Sequence, residues 1–210
     1  PCGQGELIFS LRRFFPGADL RGCDLKKPES LASGDFVSVD ASRSFSVFPG
    51  NKFDYIFSVS GVMEFDNTLQ FFESCHKHLR NGGHFVVTND NIVSMRDRIS
   101  YFCLGKVRQY HLFVSLGQGS WKVIPIHNML RILQETGFRI REVRYVSLLP
   151  KDWLMLPLAL LIYPFQFLYM NLSRSRVPWK EQRAIYPFHS LLCRHYIIVC
   201  QKDYHQVLET

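Results

Sequence analysis

Short β-favouring runs alternate with amphipathic helical patterns at a regular pitch from residue 6 to residue 146, and no other property of this chain restricts its fold so narrowly. The helical readings are Glu6 to Phe14, Asn67 to Arg80, Ser94 to Arg108 and Ile126 to Thr136. The strand readings are Leu20 to Cys23, Phe36 to Val39, Phe53 to Val59, His84 to Thr88, Phe138 to Val146 and, last, His195 to Lys202. In the first helix Leu7, Leu11 and Phe14 or Phe15 share one side, Arg12 and Arg13 take the other, and Pro16-Gly17 stops it. In the second, Leu69, Phe72, Cys75 or His76 and Leu79 fall at helical spacing, and Gly82-Gly83 closes it. Elements in this order argue for a parallel sheet covered by helices, an α/β fold.

Ligands of such sheets bind at the carboxyl ends of the strands, and the distinctive residues fall there. Gly3 and Gly5 stand where a first strand would end, Asp24 follows the second, Asp40 the third, Ser60-Gly61-Val62 the fourth and Asn89-Asp90 the fifth. Gly3-Gln4-Gly5 running into a helix lets the backbone approach a ligand and aims unpaired N–H groups at it, as in a nucleotide-type pocket. One aspartate at a strand end is usually a cap or turn former; five polar or glycine strand ends in succession mark a binding edge.

Composition narrows the class. At 210 residues and 47% hydrophobic content the chain buries one sizeable core. Its six cysteines form no CxxC pair and no regular spacing, which favours a reducing compartment and gives no metal box. The net charge of +7 is uneven: residues 1–93 carry 9 basic and 11 acidic side chains, residues 94–210 carry 16 and 7. Such a basic half fits an anionic partner. It lacks the interleaved aromatics that stack bases, so no nucleic acid is expected.

Four segments, Cys2-Gly3-Gln4-Gly5, Gly22-Cys23-Asp24-Leu25, Phe53-Asp54-Tyr55-Ile56-Phe57 with Gly61-Val62-Met63-Glu64, and His78 through Val87, come in an order and spacing that resembles the class I S-adenosylmethionine-dependent methyltransferases. The likeness covers residues 1 to about 147 and resumes at 195–202. It implies a Rossmann-like methyltransferase sheet, mostly parallel with the last strand antiparallel, helices on both faces, and S-adenosylmethionine as cofactor. The chain opens on the glycine turn itself, so the resemblance also implies a fragment without the family's first strand. By this likeness Gly3 and Gly5, with Gln4 between them, take the methionine part of the cofactor. Asp24, with Leu25 beside it, takes the ribose hydroxyls; Asp40 and the Ala41 amide read the adenine edge; Ser60 and Val62 line the pocket near the sulfonium. A dinucleotide-binding dehydrogenase is the competitor, but its third glycine would fall on Ile8.

From Trp153 to Ser173 the chain carries no charge over 21 residues, enough to cross the hydrocarbon of a bilayer. A span would part the flanking strands of one sheet, and Pro157 and Pro164 favour a broken, interfacial hairpin anchored by Lys151, Arg174, Arg176 and Lys180. The expected organisation is a methyltransferase domain over 1–150 and 190–204 with a membrane-associating insertion at 151–189, peripheral or monotopic on the cytoplasmic face of a membrane. The acceptor is then small or lipid-linked, and the family resemblance implies oxygen as the atom that takes the methyl. His111 and His127 are candidate bases, with Glu64 and Asp90 behind them. The alternative is a non-catalytic methyltransferase-like binding or scaffold protein at a membrane.

Overall fold

A computed structural model describes residues 2–107, 112–113, 122–173 and 178–203. In chain order the elements are α1 (Glu6–Phe14), β1 (Gly22–Asp24), β2 (Phe36–Ser38), β3 (Phe53–Val59), α2 (Thr68–His78), β4 (Leu79–Asp90), α3 (Met95–Leu104), α4 (Ile126–Glu135), β5 (Phe138–Val146), α5 (Leu156–Leu172), α6 (Trp179–Ile185) and β6 (His195–Lys202). The α/β alternation stands, with α1, β3, β5 and β6 at the expected residues.

The strands form a parallel pair, β1 with β2, and a four-stranded sheet in the order β3-β4-β6-β5. Register in the pair sets Asp24 beside Ser38. Successive carbonyls of a strand point to opposite sides. That of Asp24 accepts from Val39 at 2.9 Å, on the β2 side, while that of Cys23 accepts from Cys2 at 3.0 Å, just ahead of the glycine turn. In the larger sheet Asn91 N–H donates to the Arg194 carbonyl at 2.7 Å. Gln201 Nε2 donates to the Gly82 carbonyl at 2.7 Å. As β4 ascends β6 descends, so the last strand is antiparallel, as expected.

Two boundaries differ from the sequence reading. Helix α2 stops at His78 rather than Arg80, and Gly82-Gly83 lies inside β4 instead of closing the helix. The cause is burial: Leu79 is extended and fully enclosed. A Cβ at Gly83 would stand 2.9 Å from the Arg80 carbonyl oxygen of β4 itself and 3.1 Å from the Phe53 carbonyl oxygen of β3, so the backbone crowding there requires glycine. Helix α3 ends at Leu104, not Arg108, because Gly105 adopts φ 66° as its cap.

The chain divides into two compact units, Pro1–Val87 with Leu130–Arg141 and Val199–Thr210, and Thr88–Met129 with Glu142–Ile198. The first has an aromatic core in which Phe85 lies 5.6 Å from Phe72 and 5.4 Å from Phe138, ring centre to ring centre. The thiols of Cys75 and Cys200 are buried here, and burial pushes both well above the ordinary thiol range, as expected of cysteines used as small hydrophobes.

In the second unit Ala159 of α5 packs in one cluster with Met95, Leu191 and Leu192. The apolar stretch is not a hairpin. It is a 17-residue helix entered through a tight turn at Pro150–Met155. Pro157 sits in its first turn, where a missing N–H costs nothing, and Pro164 is carried inside. Asp152 anchors the start of this segment. Its carboxylate is 2% exposed and accepts from Arg194 Nε at 2.6 Å, Arg194 Nη2 at 2.8 Å and the Leu149 amide at 3.0 Å.

These bonds, above all the one from the Arg194 guanidinium, hold the Asp152 carboxyl below its ordinary range. A depressed carboxyl stabilises the fold above its unfolded pKa, and that share is lost as pH falls through the folded value. Asp152→Ala should therefore cost about 3 kcal/mol in urea unfolding at neutral pH, with the gap to wild type narrowing only in acid.

A glycine turn held by a strand-end carboxylate

The turn ahead of α1 is built by glycine. Gly3 and Gly5 adopt φ 53° and 84°, a left-handed conformation that side chains resist. Gly5 N–H donates to the Cys2 carbonyl at 2.9 Å, closing the turn, and Ser30 Oγ donates to the Gln4 carbonyl at 2.9 Å. Gln4 thus contributes its backbone to the turn. Asp24, at the end of β1, fixes this turn to the sheet: Oδ2 accepts from the Gly3 amide at 2.9 Å and Oδ1 from the Leu25 amide at 2.7 Å. A carboxylate oxygen has two acceptor positions, so Asp24 keeps capacity for donors beyond these amides. The Leu25 side chain is exposed.

The other expected residues stand at the ends of β2 and β3. Asp40 follows β2 on the edge that ends in Asp24, and its Oδ1 accepts from the Ser42 amide at 2.9 Å while Oδ2 meets Arg43 at 3.5 Å. It makes the turn that a strand-end aspartate commonly makes, and Ala41 beside it is buried. Ser60 follows β3 at φ 52°, a strained conformation for a residue with a side chain. The Val62 side chain is wholly buried. It therefore belongs to the core, and only its backbone can face the loop. The structure brings Gly3, Asp24 and Leu25 together by direct bonds, Gly5 closes the same turn through Cys2, and Asp40 is joined to them through strand register.

Of the two candidate bases, His127 stands exposed on α4, and His111 lies outside the described residues. The second unit holds a pair that pattern reading did not single out. His195, first residue of β6, places Nε2 3.1 Å from Asp90 Oδ1 at the carboxyl end of β4. Asp90 was visible as a polar strand end. Its partner becomes readable only once the last strand is known to run antiparallel, which sets its beginning against the end of β4.

Residues 1–87 match the sequence profile of the methyltransferase domain family. No curated protein sequence matches the chain. Among solved structures, a SAM-dependent methyltransferase from Archaeoglobus fulgidus superposes with a TM-score of 0.59 at 15% identity, over 96% of this chain and 83% of that one. An S-adenosylmethionine-dependent methyltransferase from Mesorhizobium loti gives 0.51 at 15% identity, over 95% and 87%. The [4+2]-cyclase SpnF gives 0.52 at 17%, over 96% and 73%. At these identities the likeness is one of fold. The first 87 residues carry a methyltransferase domain's sequence pattern, and the chain has the fold of the class I S-adenosylmethionine-dependent methyltransferases.

S-adenosylmethionine is the cofactor that family and fold imply, and the turn suits it. A Cβ built at Gly3 would meet no atom within 4 Å, so the backbone there is open to a ligand. The N-terminus of α1 has no side-chain cap, which leaves its first N–H groups for an anionic group such as the methionine carboxylate. Two predictions follow from this geometry. Asp24→Ala frees the Gly3 amide and removes a charged acceptor, and should weaken S-adenosylmethionine binding by about tenfold or more in calorimetry. Ser60→Gly relieves the left-handed strain and should raise stability by about 1 kcal/mol in urea unfolding.

Proposed function

We propose that this chain transfers the methyl group of S-adenosylmethionine to an oxygen of a small or lipid-linked acceptor at the cytoplasmic face of a membrane. The observation that carries the reading is the Asp24 carboxylate, which holds the Gly3 and Leu25 amides together and builds a glycine turn open to a ligand. Gly3, Gln4 and Gly5 hold the methionine part, Asp24 and Leu25 the ribose, Asp40 with the Ala41 amide the adenine, and Ser60 with the backbone at Val62 the wall beside the sulfonium. The bound cofactor supplies a methyl on a positively charged sulfur, which leaves by a single displacement.

What remains for the protein is to align the acceptor and take its proton. The lipid-linked acceptor is supported by the helical stretch Pro150–Leu172, the one among the described residues long and apolar enough to cross a membrane, few of whose residues are buried.

A protein of this fold is named a [4+2]-cyclase, so binding and transfer have to be measured apart. Calorimetry with S-adenosylmethionine and its demethylated product should show both bind. Incubation with methyl-labelled cofactor and membrane extract should label a lipid-phase species through an ether or ester. Binding without transfer would favour the scaffold reading, and the absence of any binding would remove both.

A further inference from the structure

Helix α5 has two apolar faces, and the fold uses one. Ala159 and Met170 are buried, and Leu156, Leu158, Ile162 and Tyr163 pack against the cluster of Met95, Leu191 and Leu192. Gln166, on the same side, accepts from Arg98 Nη2 at 3.0 Å, tying α5 to α3. The opposite side is bare. Leu161, Phe165, Leu168 and Leu172 follow one another at four, three and four residues, a single stripe along the helix, and Phe165 is 67% and Leu172 72% exposed. Phe102 of α3 is 90% exposed, and Trp153 precedes α5 with half its surface open. An uncovered apolar face of this extent marks an interaction surface.

We infer that this face lies on an anionic lipid leaflet, with α5 in the plane of the interface rather than across the bilayer. The inference rests on the membrane part of the proposed function and not on methyl transfer. Charge decides the occupant. Between Asp152 and Glu181 there is no carboxylate, whereas Arg174, Arg176 and Lys180 follow the apolar stretch and Lys151 precedes it. Asp152 itself is buried against Arg194. A second copy docking through the same face would bring one apolar segment flanked in sequence by cations and no carboxylate against another, whereas acidic headgroups attract such a segment. Aromatic groups suited to headgroup depth flank the helix: Trp153 before it and, after it, Trp179, over which Arg183 stacks at 4.9 Å.

Packing decides the orientation. A spanning helix must present apolar surface all round, but the inner side of α5 is occupied by the second unit's core and its start is pinned by the Asp152–Arg194 pair. Laid flat, a 17-residue helix offers a strip about 25 Å long, which dips its outer side chains into the headgroup and acyl boundary.

The test takes the full chain, diluted from mild detergent onto vesicles of phosphatidylcholine with or without phosphatidylserine. Flotation should recover the protein with vesicles, about tenfold more on the anionic ones at low salt, and alkaline carbonate should release it. Phe165→Glu with Leu168→Glu should cut partitioning about a hundredfold with circular dichroism unchanged. Brominated lipid should quench Trp153 fluorescence in the wild type. Wild-type protein left in the lipid-free fraction, or a double variant that floats equally well, would overturn the docking. A dimer dissolved by the same variant would assign the face to a second copy, and retention after carbonate would replace the in-plane helix with a span. Calorimetry with S-adenosylmethionine on the same samples separates this result from the fate of the methyl-transfer reading.

Discussion

The Asp24 carboxylate is the joint on which the ligand-binding edge depends. The two residues it bonds lie on opposite sides of it in the chain, Gly3 in the turn before α1 and Leu25 just after β1. A neutral side chain could accept one amide but not hold two with a charge-assisted bond to each. Because β1 and β2 run parallel with Asp24 opposite Ser38, the same strand end brings Asp40 alongside. A short strand of three residues thereby organises a turn, a helix start and the following loop.

The second unit is organised by the same economy of charge. One buried carboxylate, Asp152, receives three donors from Leu149 and Arg194, and Arg96 stands 3.5 Å away. That arrangement secures the beginning of an apolar helix whose outer surface the fold leaves uncovered. A helix apolar all round is ordinarily either a core element or a membrane span. Here one side completes the cluster around Met95 and the other faces outward.

Much of this was legible in the residues. The β-favouring runs at Phe53 to Val59 and His195 to Lys202 became strands at those residues, and the amphipathic spacing of Glu6 to Phe14 became α1. The glycine turn and Asp24 could be placed because their requirements are local: a left-handed backbone admits glycine, and a strand-end carboxylate accepts from neighbouring amides. Where a long-range contact overrode local preference, the reading moved. Gly82-Gly83 looks like a helix stop, yet the approach of β3 to β4 pulls it into the strand. Two prolines in an apolar run look like a break, yet Pro157 fell in the first turn and packing of the inner face carried α5 through Pro164.

The candidate site divides along the same line. By itself the sequence determined the alternation of elements, the polar and glycine strand ends and the absence of charge from Trp153 to Ser173, since each follows from side-chain polarity and backbone freedom along a few residues. Only the tertiary structure decided that Asp24 bonds the glycine turn, that Val62 belongs to the core, that Asp90 meets His195 and that α5 keeps one bare face. Those depend on which strand lies beside which and in what direction, a property of the folded chain that no local window contains.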